Sequence, residues 1–322
     1  MLRAGAKLEP LRLWRSFFYV PGDAEKKIAK MAKLASDIVE RRDLAKLQSH
    51  LPDAIVLDCE DGVAGSAKVA AREGIARTLR QDSFRPFRQA LQRTLLVRIN
   101  PLDTGLTEAD LQVCVDQHDK LDHICLPKTE SLDQLKWLAD RIKGTGLLVI
   151  GMIESPEALL HMSHMCRGSI LEGVPLRGFV FGSDDYCARL GVARSDSNVE
   201  VSYARKKFVN VCKSFGLTAI DMVDIDLHDT SAEKVTKNTR LGAQLGFDGK
   251  QLIHPKQIPI AHEAFSPREQ SIDWSRRLLA EATQSGAGAF TFEGKMIDMP
   301  TMRQAENTLK KAQLLRGDGL NL

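Results

Sequence analysis

The sequence predicts a (β/α)8 TIM barrel followed by a C-terminal helical arm. Three observations carry this reading. Eight short apolar runs recur along the chain. The segments between them mostly show the periodicity of amphipathic helices. Polar and charged residues gather where the runs end. A strand buried on both faces reads as a continuous apolar run, and eight strands alternating with helices close into a barrel of about 250 residues. A doubly wound open sheet is the structural alternative, but no GxGxxG follows the first run to support it.

The first run, FFYV (17–20), leads into the turn Pro21-Gly22 and then the basic stretch EKKIAKMAK (25–33). Lys26 and Lys30 are four apart and share one side of a helix. Two lysines there can hold the phosphates of a nucleotide-like cofactor, although basic surface helices are common. AIVLD (54–58) runs into Asp58, Glu60 and Asp61, and LLVRI (95–99) carries Arg98 and leads to Asn100. HICLP (123–127) precedes Lys128, LLVIGMI (147–153) precedes Glu154, and GFVFG (178–182) precedes Asp184 and Asp185. TAIDMV (218–223) holds Asp221, and KQLIHP (250–255) holds His254. In a closed barrel these strand ends point to one face, where barrel enzymes build their sites. Helix capping accounts for any single acid, but poorly for acids or Arg at five ends. LTEADLQVCVDQ (106–117) and SLDQLKWLADRI (131–142) are typical of the helices between. After the last run come a helix-like segment, SIDWSRRLLAEATQ (271–284), the stretch GAFTFEGKMIDMP (288–300), and a final helix, TMRQAENTLKKAQLL (301–315). The predicted organisation is an extension over residues 1–14, a barrel over 15–265 and an arm over 266–322.

Composition narrows the function classes. Formal net charge is +3, so nothing electrostatic argues for nucleic acid or a membrane surface. No apolar run is long enough to span a bilayer. Six scattered cysteines without a CxxC read as free thiols in a reducing compartment. The first fifteen residues carry Arg3, Lys7, Arg12 and Arg15 against Glu9 alone, a pattern shared by transit peptides and by frayed termini.

Four groups carry candidate chemistry. Glu154 and Asp185 follow adjacent predicted strands, and two carboxylates there can hold one Mg2+, with positions left for water and substrate. They can equally form a structural ion-pair network. Arg98 lies in an otherwise apolar strand and is either a paired structural cation or a fixed charge facing a developing oxyanion. Asp298 sits between Ile297 and Met299 and is either the cap of the last helix or an acid–base group raised by apolar neighbours. His161 and His164 lie on one predicted helix without an HExxH, which favours an ordinary helix surface over zinc.

Through RSFFYVPGDAEKKIAK (15–30), AIVLDCEDGVA (54–64), VRIN (97–100), LPKTES (126–131), IES (153–155), FGSDDYCARLG (181–191), FGLTAIDMVDIDLHD (215–229), GFDGKQLIHPKQI (246–258) and GAFTFEGKMIDMP (288–300), the chain resembles the CitE-like branch of the HpcH/HpaI aldolase and citrate-lyase beta-subunit superfamily. The resemblance implies a TIM barrel, Mg2+ and a CoA thioester substrate. It implies reversible cleavage of citramalyl-CoA to acetyl-CoA and pyruvate in the mitochondrial matrix. Malyl-CoA lyase or malate-synthase chemistry with glyoxylate is the enzymatic alternative, and a catalytically silent CoA-binding protein the non-enzymatic one. Carried over by position, Glu154 and Asp185 are metal ligands and Arg98 faces the reacting oxygen. Tyr19, Lys26, Lys30, Ile253 and His254 contact substrate or its CoA portion. Asp298 is the catalytic aspartate, on an arm that closes over a neighbouring subunit in a homotrimer. Two departures stand out. Ser183-Asp184-Asp185 replaces the Gly-Glu-Asp of many relatives, and KLASDIVERRDLAKLQSH (33–50) is long, which implies an extended helix near the CoA entrance.

Overall fold

The computed structural model describes residues 13–226, 233–285 and 288–316. The extension expected over residues 1–14 lies almost wholly outside the described residues. The chain forms two compact units, one of Trp14–Ala264 and one carried by the described residues from Phe265 on.

In the first unit eight parallel strands close into a barrel in sequence order. They are β1 (Ser16–Pro21), β2 (Ala54–Asp58), β3 (Thr94–Arg98), β4 (His123–Leu126), β5 (Leu148–Ile153), β6 (Leu176–Phe181), β7 (Thr218–Asp221) and β8 (Gly249–Leu252). The ring closes where Phe17 and Phe18 of β1 pair with Gln251 and Leu252 of β8. Every predicted run became a strand, because almost every strand residue is buried: one face meets the barrel axis and the other meets a helix. Successive side chains alternate between those faces. Phe17, Tyr19, Val56, Leu96, Cys125, Ile150, Met152, Val180 and Ile220 therefore fill the barrel interior as one cluster. The outer layer comprises α1 (Glu25–Arg41), α2 (Leu44–His50), α3 (Lys68–Arg80), α4 (Thr107–Asp116), α5 (Leu132–Arg141), α6 (Pro156–Glu172), α7 (Ser183–Leu190), α8 (Ser202–Ser214), α9 (Glu233–Leu245) and α10 (Gln257–Phe265).

The long 33–50 segment extends α1 and then adds α2. Arg42 takes a left-handed conformation (φ 53°) that ends α1, and Asp43 caps α2 by accepting the Lys46 amide at 3.0 Å.

The second unit holds α11 (Glu269–Ser285), a hairpin of β9 (Phe290–Phe292) and β10 (Lys295–Ile297), and α12 (Met299–Arg316). Glu293 and Gly294 both have positive φ, the geometry that closes a two-residue hairpin. Leu278, Ile297, Met302 and Ala305 form its core, with Trp274, Phe290 and Phe292 packed against them.

Candidate active site at the mouth of the barrel

A cavity of about 810 Å³ opens at the C-terminal ends of the strands. Its volume is that of a ligand site rather than a packing void. Tyr19, Lys30, Arg98, Glu154, Asp185, Ile253 and His254 all line it. Seven residues nominated from five separate stretches thus share one chamber. Lys26 does not line it and Lys27 does. The α1 residues facing the cavity are Lys27, Lys30, Met31 and Leu34, a single helical stripe that leaves Lys26 about 100° around the helix.

Arg98 closes β3 and is nearly fully buried. Its Nε and Nη2 form a fork on Asp58, at 2.7 Å each, and its Nη1 reaches Glu60 Oε2 at 2.7 Å. The guanidinium also lies over the Tyr19 ring, 4.8 Å from its centroid. Asp58 is held in turn by the amides of Glu60 and Gly62, both at 2.9 Å, a turn closed by an aspartate side chain. Burial works against the Arg98 charge, but Asp58 overrides it and holds the guanidinium above its ordinary range. Burial likewise opposes Asp58, yet Arg98 beside it keeps the carboxyl below its ordinary range. Glu60 goes the other way: burial, opposed by Arg98 and aided by Asp61, pushes it up to about 8.

Glu154 follows β5 and is wedged from two sides. Lys128 adopts a left-handed conformation (φ 47°), and its amide donates to Glu154 Oε2 at 2.6 Å. On the other side a Cβ on Gly182 would stand 2.4 Å from Glu154 Oε1, so that carboxylate requires glycine at 182. A left-handed lysine costs on the order of 1–3 kcal/mol, strain of the kind stored at functional sites. The chain then turns straight into α6, with Ser155 accepting the Ala158 amide and Pro156 in the first turn. Asp185 lies in the first turn of α7. Burial pushes Glu154 up to about 7, against the pull of the Lys128 amide and Arg98. Asp185 is raised as well, by burial and then by Asp61. The two carboxylates are thus short of positive charge.

Among the described residues no group of three or more His, Cys, Asp and Glu side chains is arranged around a metal. Mg2+ does not need one, since it takes one or two carboxylates and keeps waters or substrate oxygens for the rest. Two charge-starved carboxylates on one wall, with a glycine clearing space for the first, fit a hard divalent cation.

The remaining strand ends divide cleanly. Gln257 Oε1 accepts the amides of Ile253 and His254 at 3.1 and 3.2 Å, which fixes the β8 turn. Asp221 is fully buried and forms an ion pair with Arg205 of α8, and Asn100 donates to Asp110 at 2.6 Å. Those two hold helices to the barrel. His161 and His164 are exposed on α6, and all six cysteines are buried and free. Asp184, one of the acids read at the strand ends, also lines the cavity, as do Ser183 and His50, to which the sequence assigns no role.

Asp298 belongs to the second unit. Its Oδ1 accepts the amide and hydroxyl of Thr301 at 3.2 and 3.0 Å, so it caps α12. Ile297 is buried beside it, whereas Met296 and Met299 are 77% and 50% exposed. Two large apolar side chains turned to solvent flank the carboxylate.

Residues 41–255 match the HpcH/HpaI aldolase/citrate lyase family model. The chain is 37% identical over 317 residues to the mitochondrial citramalyl-CoA lyase of Homo sapiens, covering 94% of this chain and 86% of that protein. It is 30% identical over 315 residues to the citrate lyase subunit beta of Haemophilus influenzae, covering 94% and 98%. The crystal structure of CitE from Mycobacterium tuberculosis in complex with magnesium, acetoacetate and coenzyme A superposes with a TM-score of 0.71 at 29% identity, covering 94% of this chain and 99% of that one.

Proposed function

The chain belongs to the HpcH/HpaI aldolase/citrate lyase family and is a carbon–carbon lyase; from that premise we propose that it is a Mg2+-dependent enzyme cleaving citramalyl-CoA to acetyl-CoA and pyruvate in the mitochondrial matrix. The observation that carries the reading is the shared chamber: Glu154, Asp185 and Arg98 line one cavity together with Tyr19, Lys30 and His254. The three mitochondrial citramalyl-CoA lyases of Homo sapiens, Rattus norvegicus and Mus musculus, 35–37% identical over 94% of this chain, favour this substrate and compartment.

Glu154 and Asp185 would hold the cation, which supplies Lewis acidity toward the carboxylate and tertiary hydroxyl of the substrate. As the C–C bond breaks, the hydroxyl gives up its proton to solvent, the bond's electron pair moves into the thioester and the hydroxyl carbon becomes the keto carbon of pyruvate. Arg98, locked by Asp58, is a fixed cation beside the charge that develops. A preorganised donor of this kind is worth roughly 3–4 kcal/mol in comparable sites. Tyr19 stacks beneath the guanidinium and keeps water from one side of it. Asp298, protonated, gives its proton to the enolate carbon and completes acetyl-CoA; in reverse it removes a proton from the acetyl methyl. We assign that step to a neighbouring subunit's arm within a homotrimer. The exposed Met296 and Met299 beside Asp298 support an arm that docks on an apolar surface.

The test is a substrate panel of citramalyl-CoA, malyl-CoA and citryl-CoA, each with Mg2+ and with EDTA. Metal-dependent pyruvate release from the first, well above release of glyoxylate or oxaloacetate from the others, is expected. Fastest cleavage of malyl-CoA would overturn the substrate assignment. Mixing Asp298→Asn and Glu154→Gln chains, each inactive alone, should restore part of the activity after subunit exchange. No recovery would sink the shared site.

A further inference from the structure

The turn between β4 and α5 presents four consecutive backbone amides, and each has an acceptor. Lys128 N–H donates to Glu154 Oε2 at 2.6 Å from its left-handed backbone. Thr129 N–H donates to the Met152 carbonyl at 3.0 Å. The amides of Glu130 and Ser131 both donate to Gln134 Oε1, at 2.7 and 3.1 Å. Two side chains close the arrangement. Thr129 is fully buried, and its hydroxyl donates to the Leu126 carbonyl at 2.8 Å while accepting the Met152 amide at 3.3 Å. Gln134 Nε2 donates back to the Lys128 carbonyl at 3.4 Å. The turn is thus stitched to β5 at Met152, two residues before Glu154, and to the first turn of α5. A capping box at the start of α5 accounts for the bonds between Ser131 and Gln134. It does not account for those made by Thr129, Glu130 and the Lys128 carbonyl. What these hold in place is the one amide aimed at Glu154.

The two oxygens of Glu154 are therefore unlike. Oε2 is taken by the Lys128 amide. Oε1 faces Gly182, which leads into the first turn of α7 and Asp185. We propose that Thr129 and Gln134 are positioning residues that keep Glu154 a one-oxygen ligand, and that this clamp makes the site select Mg2+ over Ca2+. The inference rests on the reading of Glu154 and Asp185 as the carboxylates of the cation. Its physical basis is coordination. Ca2+ takes about six to eight oxygens in a flexible shell and accepts both oxygens of one carboxylate, whereas Mg2+ demands a near-ideal octahedron and keeps several waters. A carboxylate with one oxygen held by a short amide bond cannot turn to offer both. Groups that orient a ligating side chain alter metal affinity by about 10–100-fold when removed. The left-handed lysine agrees with this role, since such a backbone persists only where its surroundings over-determine it. The acceptors at Glu154, Met152 and Gln134 do so.

The experiment uses the full chain and measures calorimetric affinity for Mg2+ and for Ca2+, with urea unfolding alongside. Thr129→Val keeps the shape of the side chain and removes its hydroxyl, and Thr129→Ser keeps the hydroxyl. Thr129→Val should weaken Mg2+ about 10-fold and Ca2+ much less, so that the preference for Mg2+ falls. Thr129→Ser should retain the parent preference. Gln134→Glu keeps the acceptor for Glu130 and Ser131 but loses the donor to the Lys128 carbonyl. It should lower the preference in the same direction by a smaller factor, with the cap of α5 intact. If Thr129→Val does not fold, Gln134→Glu decides by the same ratio. A parent chain with no preference for Mg2+, equal losses for the two ions, or lost stability at an unchanged preference would overturn the proposal and leave the turn a structural stitch. A parent chain that binds neither ion would refute the cation at Glu154 itself, and the role of the clamp with it.

Discussion

The two ends of the barrel use the same chemical parts in opposite ways. At the start of β2, Asp53 accepts the backbone amide, Nε and Nη2 of Arg15 at 2.8–2.9 Å and pairs with Arg93 as well. The device repeats around that end. Asp122 ahead of β4 takes the Leu95 amide at 2.8 Å and the Arg88 guanidinium, and Asp248 ahead of β8 takes the Ala219 amide at 2.9 Å and the Lys213 ammonium. His262 fits between Ser16 and Gln48, and burial pushes it down to about 2, so it is neutral. Each of these three acids is answered by a cation and a backbone amide. At the mouth, Arg98 answers Asp58 and reaches Glu60, while Glu154 and Asp185 are raised by burial. The Tyr19 and Ser183 hydroxyls there are buried without a protein partner. One end is saturated and structural. The other carries a polar deficit that a cation and a substrate can fill, and the deficit marks the site more sharply than the charges do.

The largest effect tests the saturated end. Asp53→Asn leaves two buried guanidinium groups without their carboxylate, and breaking such a network costs about 3–5 kcal/mol. Urea unfolding should show that loss, while the folded fraction keeps the parent kcat. Glu154→Gln should do the reverse, retaining or gaining stability while losing Mg2+ affinity by calorimetry. If Glu154→Gln proves as destabilising as Asp53→Asn, the contrast between the two ends is false.

Next in size is Arg98→Gln, which removes the fixed cation but keeps a polar side chain of similar length. A fall of about 10²–10³ in kcat is expected, with little change in KM for the thioester. A rise in KM at unchanged kcat would move Arg98 from the transition state to simple binding.

Much of this was legible in the sequence, for physical reasons that can be named. Strands buried on both faces announce themselves as apolar runs, and β1 to β8 appear at the predicted places. Barrel topology sends all strand ends to one face, so Arg98, Glu154, Asp185 and His254 could be grouped before their distances were known. Helix phase was not legible. The i,i+4 spacing puts Lys26 and Lys30 on one side, but which stripe of α1 turns to the cavity depends on how Ile28, Ala32 and Ala35 seat against the barrel. The saturated end also escaped notice. An Asp just ahead of an apolar run looks like loop polarity, and its partners Arg15, Arg88 and Lys213 lie 34 to 38 residues away. The recurrence of Asp-then-run at Asp53, Asp122 and Asp248 was the available signal.

A smaller effect is the pH dependence set by Glu154. Its carboxyl is pushed from 4.5 to about 7 in the folded chain. Between those values the folded state binds the proton that the unfolded chain has released, so stability of the metal-free protein falls as pH rises from about 4.5 to 7. Glu154→Gln should flatten that slope in urea titrations run in EDTA. Mg2+ affinity should rise across the same window, because the proton competes with the cation. A parent protein whose slope matches the variant's would show that burial at the mouth does not strain this carboxylate.

The smallest effect separates the two halves of the repeated device. Lys213 and Asp248 are 44% and 29% exposed, so solvent screens their attraction, and Lys213→Met should cost less than about 1 kcal/mol. Asp248 also holds the Ala219 amide at the start of β7. Asp248→Ala leaves that partly buried N–H without its acceptor, a loss of about 1–3 kcal/mol. Asp248→Asn keeps an acceptor oxygen without the charge and should fall close to Lys213→Met. If the three variants rank in that order, the acids ahead of β2, β4 and β8 act chiefly as acceptors that tie one strand start to the next, and their cations are secondary. Equal losses for Lys213→Met and Asp248→Ala would reverse that ranking and make the ion pair the working part.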